Sequence, residues 1–420
     1  MAAIAEILGD LVGSDSISSP DALELPEYLT PEAVVYPSSE AELAAVMTCA
    51  HEHSWRVLPC GSGSKLAWGG AGARADLIVS TARLSKIPDH AVGDMTLTAQ
   101  AGVKLADLAP QLTQHNQCLA VDPAYPEQAT LGGIVATADT GALRQRYGGL
   151  RDMLIGISFV RYDGQIAKAG GRVVKNVAGY DLMKLMTGSY GTLGVISQLT
   201  FRLYPVQDVS KTVVVTGTAT AVEQLLSTLR LSPLSPTAID VLSPALAARL
   251  GCKDFALLVR FQSIAPGVEE RVESLLGMVD DLPTQVLGGA EDERIWAAAR
   301  DALFPVRREP EAVVAKVGVP AAEAAGWLDQ LPEGTLARIH GGSGVGTVRL
   351  VSASAEQVET LRSRCTDIHG YLTLLEAPAA LKESVDAWGY SGTALTVMKA
   401  LKTQFDPHNR LSPGRFVGGI

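Results

Sequence analysis

The sequence predicts an α+β protein of two or three domains, in which glycine-rich loops in the first half are followed by interleaved strands and helices. Three observations predict it. The chain has 420 residues, more than one ordinary hydrophobic core serves. Short apolar runs with strand character alternate with helical apolar stripes along its length. Three glycine-rich, hydroxyl-dotted loops, each attached to a strand, fall within its first half.

Composition narrows the function classes. An apolar fraction of 47% with 19% charged residues belongs to a globular chain and not to a disordered one. A formal net charge of −10, with no local Lys/Arg cluster, argues against nucleic-acid binding, which needs a basic surface for phosphates. The five cysteines (Cys49, Cys60, Cys118, Cys252, Cys365) are scattered, odd in number and free of CxxC spacing. They indicate neither a disulfide framework nor a metal or iron–sulfur site, so a reducing, cytoplasmic compartment is expected. The start carries Glu6 and no basic stretch before an apolar run, and no window approaches the roughly 18 apolar residues of a membrane span. Neither a signal peptide nor direct membrane insertion is expected. No solenoid-length repeat or low-complexity tract is legible.

Taken in order, residues 2–11 have the pattern of a short amphipathic helix, and residues 13–20 that of a linker or mobile loop. From Val34-Val35-Tyr36-Pro37 the pattern tightens, and Ser39 can cap a helix with Glu42 three residues on, whose apolar face is Leu43, Val46, Met47 and Ala50. A strand at 56–59 then opens into Cys60-Gly61-Ser62-Gly63-Ser64-Lys65. Unobstructed N–H groups, two hydroxyls and an ammonium suit a pyrophosphate, although a plain turn explains the loop taken alone. Neither the P-loop spacing nor the GxGxxG fingerprint is present. No histidine stands in the loop to tether a flavin covalently. Strands follow at 77–80 and 95–103, then a helix burying Leu105, Leu108 and Leu112, and a strand at 117–121.

A second glycine cluster runs from Asp122 and Pro123 through Ala129, Thr130, Gly132, Gly133, Ala136 and Thr137 to Gly141. After Arg151 and Asp152, an alternating strand at 155–160 leads to the hairpin turn Asp163-Gly164. The third loop is reached through Lys175-Asn-Val-Ala-Gly-Tyr-Asp181, which reads as a helix stopping at the glycines Gly188, Gly191 and Gly194 before a buried strand at Val195-Ile196. Turn chemistry accounts for any one of these loops. It accounts poorly for all three in one contiguous stretch.

These residues resemble the vanillyl-alcohol-oxidase or PCMH-type FAD-binding flavoproteins, and within them the glycolate oxidase and FAD-linked D-lactate dehydrogenase group. The match runs from about Val34 to Pro205 and resumes at Phe405-Asp-Pro-His408 and Leu411-Ser-Pro-Gly-Arg-Phe416, where Ser412 replaces the usual Asn. The Lys175–Asp181 stretch followed by Gly191-Thr-Leu-Gly-Val-Ile196 looks like the E subunit of glycolate oxidase. The resemblance implies non-covalent FAD, with Pro59 through Lys65 around the pyrophosphate. It further implies Ala129, Thr130, Gly132, Gly133, Ala136 and Thr137, next to Pro123, on the ribityl and isoalloxazine side. Gly191, Gly194 and Ile196 would hold the adenine end, with Gly102, Val103, Arg151 and Asp152 in support. The domains expected are an N-terminal helix and linker (1–30), a PCMH-type FAD-binding domain (31–205), a ferredoxin-like α+β cap (206–380) and a C-terminal segment returning to the FAD domain (381–420).

Flavin oxidation of a small 2-hydroxy acid needs a cation for the carboxylate and a base or metal for the hydroxyl proton. In the catalytic members of the group a His-x-Gly-Asp-Gly-Asn-x-His box and a Glu-His pair supply these. The corresponding stretch here is His340-Gly-Gly-Ser343-Gly-Val345-Gly-Thr347, which keeps the first histidine and two glycines but has Ser343, Val345 and Thr347 in place of the Asp, the Asn and the second histidine. One histidine is not a metal site, and a glycine-rich hairpin with a hydrogen-bonded histidine also explains it. Arg300 and Lys316 fall where the group binds the carboxylate, though a solvated arginine and a strand-edge lysine explain them too. The expectation is therefore an FAD-binding subunit of a glycolate dehydrogenase or oxidase complex. It would work with a catalytic flavoprotein subunit and an iron–sulfur subunit, and any membrane association would come through them. A stand-alone FAD-dependent D-lactate or 2-hydroxy-acid dehydrogenase and a flavin-free scaffold subunit remain as alternatives.

Overall fold

A computed structural model describes residues 4–72, 74–171 and 179–420. The described residues divide into two units: the first takes those up to Thr140, Gly149–Pro205 and Asp386–Ile420, the second Gly141–Gly148 and Val206–Val385.

In the first unit, helix α1 (Ile4–Val12) buries Ile4 and Leu8 in one core with Leu43, Val46, Val57, Leu77 and Val79. Strand β1 (Ile17–Ser18) pairs antiparallel with β2 (Ala33–Val35). The stretch expected to be a helix with a mobile linker is therefore built into the domain, because the apolar face of α1 completes the core under α2 (Glu40–Glu52). Ser39 caps α2 as its spacing predicts, accepting from the Glu42 N–H at 3.1 Å. Strands β3 (Val57–Cys60) and β4 (Leu77–Ser80) complete a sheet of order β1-β2-β4-β3, with β2 and β3 parallel to β4.

A bidentate clamp joins the residues entering β3 and β4. Arg56 donates to Asp76 from its main-chain N–H at 2.8 Å, from Nε at 3.0 Å and from Nη2 at 2.8 Å. Partial burial pushes the Asp76 carboxyl upward, but the side-chain and main-chain hydrogen bonds of Arg56 outweigh it and hold the pKa below the usual carboxylate range. A carboxyl whose folded pKa is depressed contributes stability above its unfolded pKa, near 3.9, and loses it as pH falls through the lower folded value. Asp76→Asn is thus expected to lower stability at neutral pH and to flatten the fall in stability below about pH 4. Urea titrations at several pH values check this, and an unchanged acid limb would count against the clamp.

Strands β5 (Asp89–Ala91) and β6 (Thr96–Gln100) begin a second sheet, after which α3 (Leu105–Thr113) leads to the two-residue β7 (Gln117–Cys118), shorter than its apolar run suggests. Helix α4 (Leu131–Thr137) follows. Helix α5 (Arg144–Tyr147) lies in the segment assigned to the second unit, and α6 (Leu150–Met153) returns to the first. Strands β8 (Leu154–Val160) and β9 (Ile166–Gly170) form the expected hairpin, with Gly164 at φ +83° in its turn. Lys175, Asn176, Val177 and Ala178 of the motif before the third loop lie outside the described residues. The described helix there is α7 (Leu182–Met186), which ends just before Gly188 at φ +79°. Strand β10 (Val195–Arg202) closes an antiparallel sheet of order β5-β6-β10-β8-β9, and β11 (Tyr204–Pro205) pairs with β7.

The second unit is one eight-stranded antiparallel sheet of order β15-β12-β14-β13-β17-β18-β16-β19. Its first half is β12 (Val209–Gly217), α8 (Ala219–Leu231), β13 (Ala238–Leu242), α9 (Pro244–Arg249), β14 (Phe255–Ser263), α10 (Ala265–Leu276) and β15 (Thr284–Gly288). Helix α11 (Ala290–Leu303) leads to the second half: β16 (Val313–Gly318), α12 (Ala324–Asp329), β17 (Leu336–His340), β18 (Val345–Leu350), α13 (Ala355–Asp367) and β19 (Tyr371–Glu376). Each half is a split βαβ unit with its fourth strand beside its first and its third beside its second. The ferredoxin-like arrangement expected once thus occurs twice, joined edge to edge where β13 pairs antiparallel with β17. Helix α14 (Ala379–Ser384) ends the unit, and α15 (Ala394–Phe405) belongs to the first unit.

A candidate flavin cleft and a polar face of the cap

Three loops of the first unit converge because their glycines let backbones meet. Gly61 leaves β3 directly beneath Thr130, the N-cap of α4; a Cβ on Gly61 would stand 2.0 Å from Thr130 Oγ1. The Ser62 hydroxyl donates to the Gln128 carbonyl at 2.5 Å, fastening the first loop to the second. Gly132 approaches Ala101 so closely that its Cβ would lie 2.8 Å from the alanine's. The third loop turns through Tyr190 at φ +53° and Gly191 at φ +71°, against Pro59 and Ser412. The result is an open cleft walled by all three loops.

Pro59, Cys60, Gly61, Ser62, Gly63, Ser64 and Lys65 all line the cleft, as do Thr130, Gly132, Gly133, Ala136, Thr137, Gly191, Gly194 and Ile196. The main-chain N–H groups of Gly61, Ser62 and Gly63 donate to no main-chain carbonyl among the described residues, so they are available to an anionic ligand. Three expected residues lie outside the lining. Ala129 is buried beside Thr130, with its carbonyl accepting from Leu105. Pro123 is buried in the preceding loop. Asp152 accepts from the Gly149 N–H at 2.8 Å and so fixes the start of α6.

Lys65 departs from expectation. Its ammonium was expected to meet the pyrophosphate, but the buried Nζ lies 2.9 Å from Asp139 Oδ2 and its charge is already paired. Burial pushes the Cys60 thiol up to about 12, so it is protonated at neutral pH. The lining also contains residues that local patterns did not single out: Leu66, Trp68, Thr81, Tyr190 and Arg415. A signal for the last was present in Gly69, Gly70 and Gly72. Their absent Cβ atoms make room for the C-terminal segment: a Cβ on Gly70 would stand 2.8 Å from the Gly414 carbonyl oxygen, and one on Gly72 2.7 Å from Arg415 Cδ.

In the second unit, cross-strand register puts Asp240 opposite His340, and Arg338, Thr347, Lys316 and Thr373 in one row on the same face. Thr212, Arg260 and Asp240 share that face, and Thr212 bonds to Asp292 and Trp296 of α11. The face is polar yet buried at Asp240, Arg338, His340, Thr347 and Thr373. His340 Nδ1 lies 2.5 Å from Asp240 Oδ1, so the histidine is held by a carboxylate that the sequence did not suggest. Arg338 Nη1 lies 3.7 Å from Asp240 Oδ2. Lys316 is half-buried two strands from His340. Arg300 sits on α11 and pairs with its neighbour Asp301 at 2.8 Å. Ser343, Val345 and Thr347 occupy the hairpin and β18. Among the described residues no three His, Cys, Asp or Glu side chains gather where they could hold a metal ion.

Comparison with known proteins agrees with this geometry. Residues 31–170 match the FAD binding domain family, and residues 386–416 match the C-terminal domain of FAD linked oxidases. The glycolate oxidase subunit GlcD of Bacillus subtilis is 26% identical over 93% of this chain and 90% of its own length. The glycolate oxidase subunit GlcE of Escherichia coli is 39% identical over a shorter stretch, 27% of this chain and 32% of that one. Among solved structures, p-cresol methylhydroxylase with substrate bound superposes with a TM-score of 0.77 at 15% identity, covering 98% of this chain and 96% of that one. The fold is that of the PCMH-type flavoproteins. Among the described residues no helix is long and apolar enough to cross a membrane.

Proposed function

Carrying an FAD binding domain and the C-terminal segment of FAD linked oxidases, the chain is an FAD-dependent oxidoreductase, and from that premise we propose that it is the FAD-binding subunit of a glycolate-type 2-hydroxy-acid dehydrogenase complex. In this reading it works beside a catalytic flavoprotein subunit and an iron–sulfur subunit. The observation that carries the proposal is the contrast between the two units. The cleft is complete in glycine approaches and available N–H groups, whereas the His340 hairpin keeps one histidine of a metal box and sets Ser343, Val345 and Thr347 at its other positions. The likeness to the GlcD and GlcE subunits supports the substrate class and the assembly. The chain has no run of cysteines to ligate a cluster, so electrons leaving it need a partner that does.

When bound, FAD supplies a two-electron acceptor for the substrate hydride. The protein's part is to hold it, through the N–H groups of the first loop, and to exclude water with the apolar walls of the cleft. The His340–Asp240 pair favours a second reading, a stand-alone 2-hydroxy-acid dehydrogenase. With its Nδ1 proton on Asp240, His340 keeps Nε2 as a proton acceptor, and Arg338 and Lys316 on the same face supply cations for a carboxylate.

Anaerobic mixing separates the two. Glycolate or D-lactate is expected to leave the flavin absorbance of the chain alone unchanged and to bleach it once the partner subunits are added. Bleaching of the isolated chain, lost in His340→Ala, would move the assignment to the stand-alone enzyme.

A further inference from the structure

Arg415 is the cation of the cleft that no carboxylate pairs among the described residues. It is 5% exposed. Its Nη2 donates to the carbonyls of Leu66, at 2.5 Å, and Trp68, at 2.7 Å, which follow directly on the first glycine loop. Its Nη1 is buried with no hydrogen-bond partner among the described residues. The side chains acting on it are the phenols of Tyr28, which also hydrogen-bonds to the guanidinium, and of Tyr190, and not a carboxylate. Lys65, the other cation of the cleft, is paired with Asp139. An unpaired guanidinium held out of water is costly, and such charges are retained where a counter-ion completes them.

We propose that Arg415 is the cationic partner of the FAD pyrophosphate, its Nη1 reserved for a phosphate oxygen while Nη2 locks the guanidinium to the end of the loop whose N–H groups receive the same anion. The C-terminal segment is then a clasp on the cofactor. The role expected of Lys65 passes to Arg415, and Lys65 positions Asp139 instead. A guanidinium presents its donors in a fixed fork suited to phosphate, and hydrogen bonds to a charged acceptor are the strong ones. The proposal rests on the FAD site and not on the complex proposed above.

The test uses the full chain stripped of flavin. FAD affinity is read by fluorescence quenching, and ADP and adenosine are compared as competitors. Arg415→Met is expected to weaken FAD by roughly 10- to 100-fold, and to erase most of the advantage of ADP over adenosine while leaving adenosine's own affinity near wild type. Arg415→Lys should recover part of that advantage. Inorganic pyrophosphate should raise the melting temperature of the stripped wild-type protein and not that of the Met variant. If ADP keeps its full advantage in Arg415→Met, or ADP and adenosine weaken equally, Arg415 shapes the loop and does not bind the pyrophosphate. Should the Met variant fail to fold, the lysine variant and pyrophosphate stabilisation of the wild type decide. No stabilisation of the wild type by pyrophosphate would then overturn the proposal.

Discussion

Lys402→Met should destabilise the chain by about 3–5 kcal/mol, because it removes one half of a buried ion pair. Lys402 is 5% exposed and Asp406 1%. The ammonium donates to Asp406 Oδ2 at 2.6 Å, to the Leu411 carbonyl at 2.8 Å and to the Thr192 carbonyl at 3.0 Å. Asp406 Oδ2 also receives the Leu411 N–H at 2.7 Å. One side chain thus ties the end of α15, the C-terminal segment and the third loop of the cleft. Burial pushes the Lys402 pKa down and Asp406 pulls it back. Without the lysine the carboxylate stays buried and unmatched, which is the costly half of such a change. The double variant Lys402→Met/Asp406→Leu should recover much of the loss, since an apolar pair removes both desolvation costs. Urea unfolding of the single and double variants measures it. A single-variant loss under about 1 kcal/mol would show that the pair behaves as a solvated surface bridge.

Gly61→Val should abolish most flavin binding without unfolding the protein. Its Cβ would fall 2.0 Å from Thr130 Oγ1 and 3.0 Å from two more Thr130 atoms, and Thr130 is 2% exposed and caps α4. The neighbour cannot swing away, so the first loop must lift off the second and its N–H groups lose their aim. A fall in flavin content of about tenfold or more is expected from a distortion of about 1–3 kcal/mol. The ratio of flavin to protein absorbance in the purified protein gives the answer. Gly93→Ala, whose Cβ meets nothing within 4 Å, is the matched control. A folded Gly61→Val protein with full flavin would mean that these two loops do not jointly hold the cofactor.

Much of the cleft is legible in the sequence because each loop is local. A strand ending in Gly61-Ser-Gly, a hydroxyl at Thr130 opening a helix with Gly132 and Gly133, and Gly191 to Gly194 before a buried strand each declare a backbone that something must approach closely. Their convergence in one cleft follows from the two sheets that place them. The alternation of strands and helical stripes is equally readable in the cap, because burial on one face imposes periods of two and 3.6.

The three loops can be read from the residues in order, since they rest on spacing between near neighbours, and the flavin and the fold are what the family resemblance of those residues implies. Which charges are spent is a property of the folded chain alone. Arg415 reaches a carbonyl 349 residues earlier, Lys402 one 210 earlier, and His340 an aspartate 100 earlier. Lys65 is legible as a cation but not as one already neutralised by Asp139. The doubling of the split βαβ unit is hidden for a related reason. Topology is held by which positions are apolar, and many unrelated residues satisfy that, so two halves of one sheet carry the same plan with no repeat visible in the letters. An ion pair or a strand pairing formed across the fold leaves no periodic mark on the chain, and the partner of a buried charge is known only when the chain has closed around it.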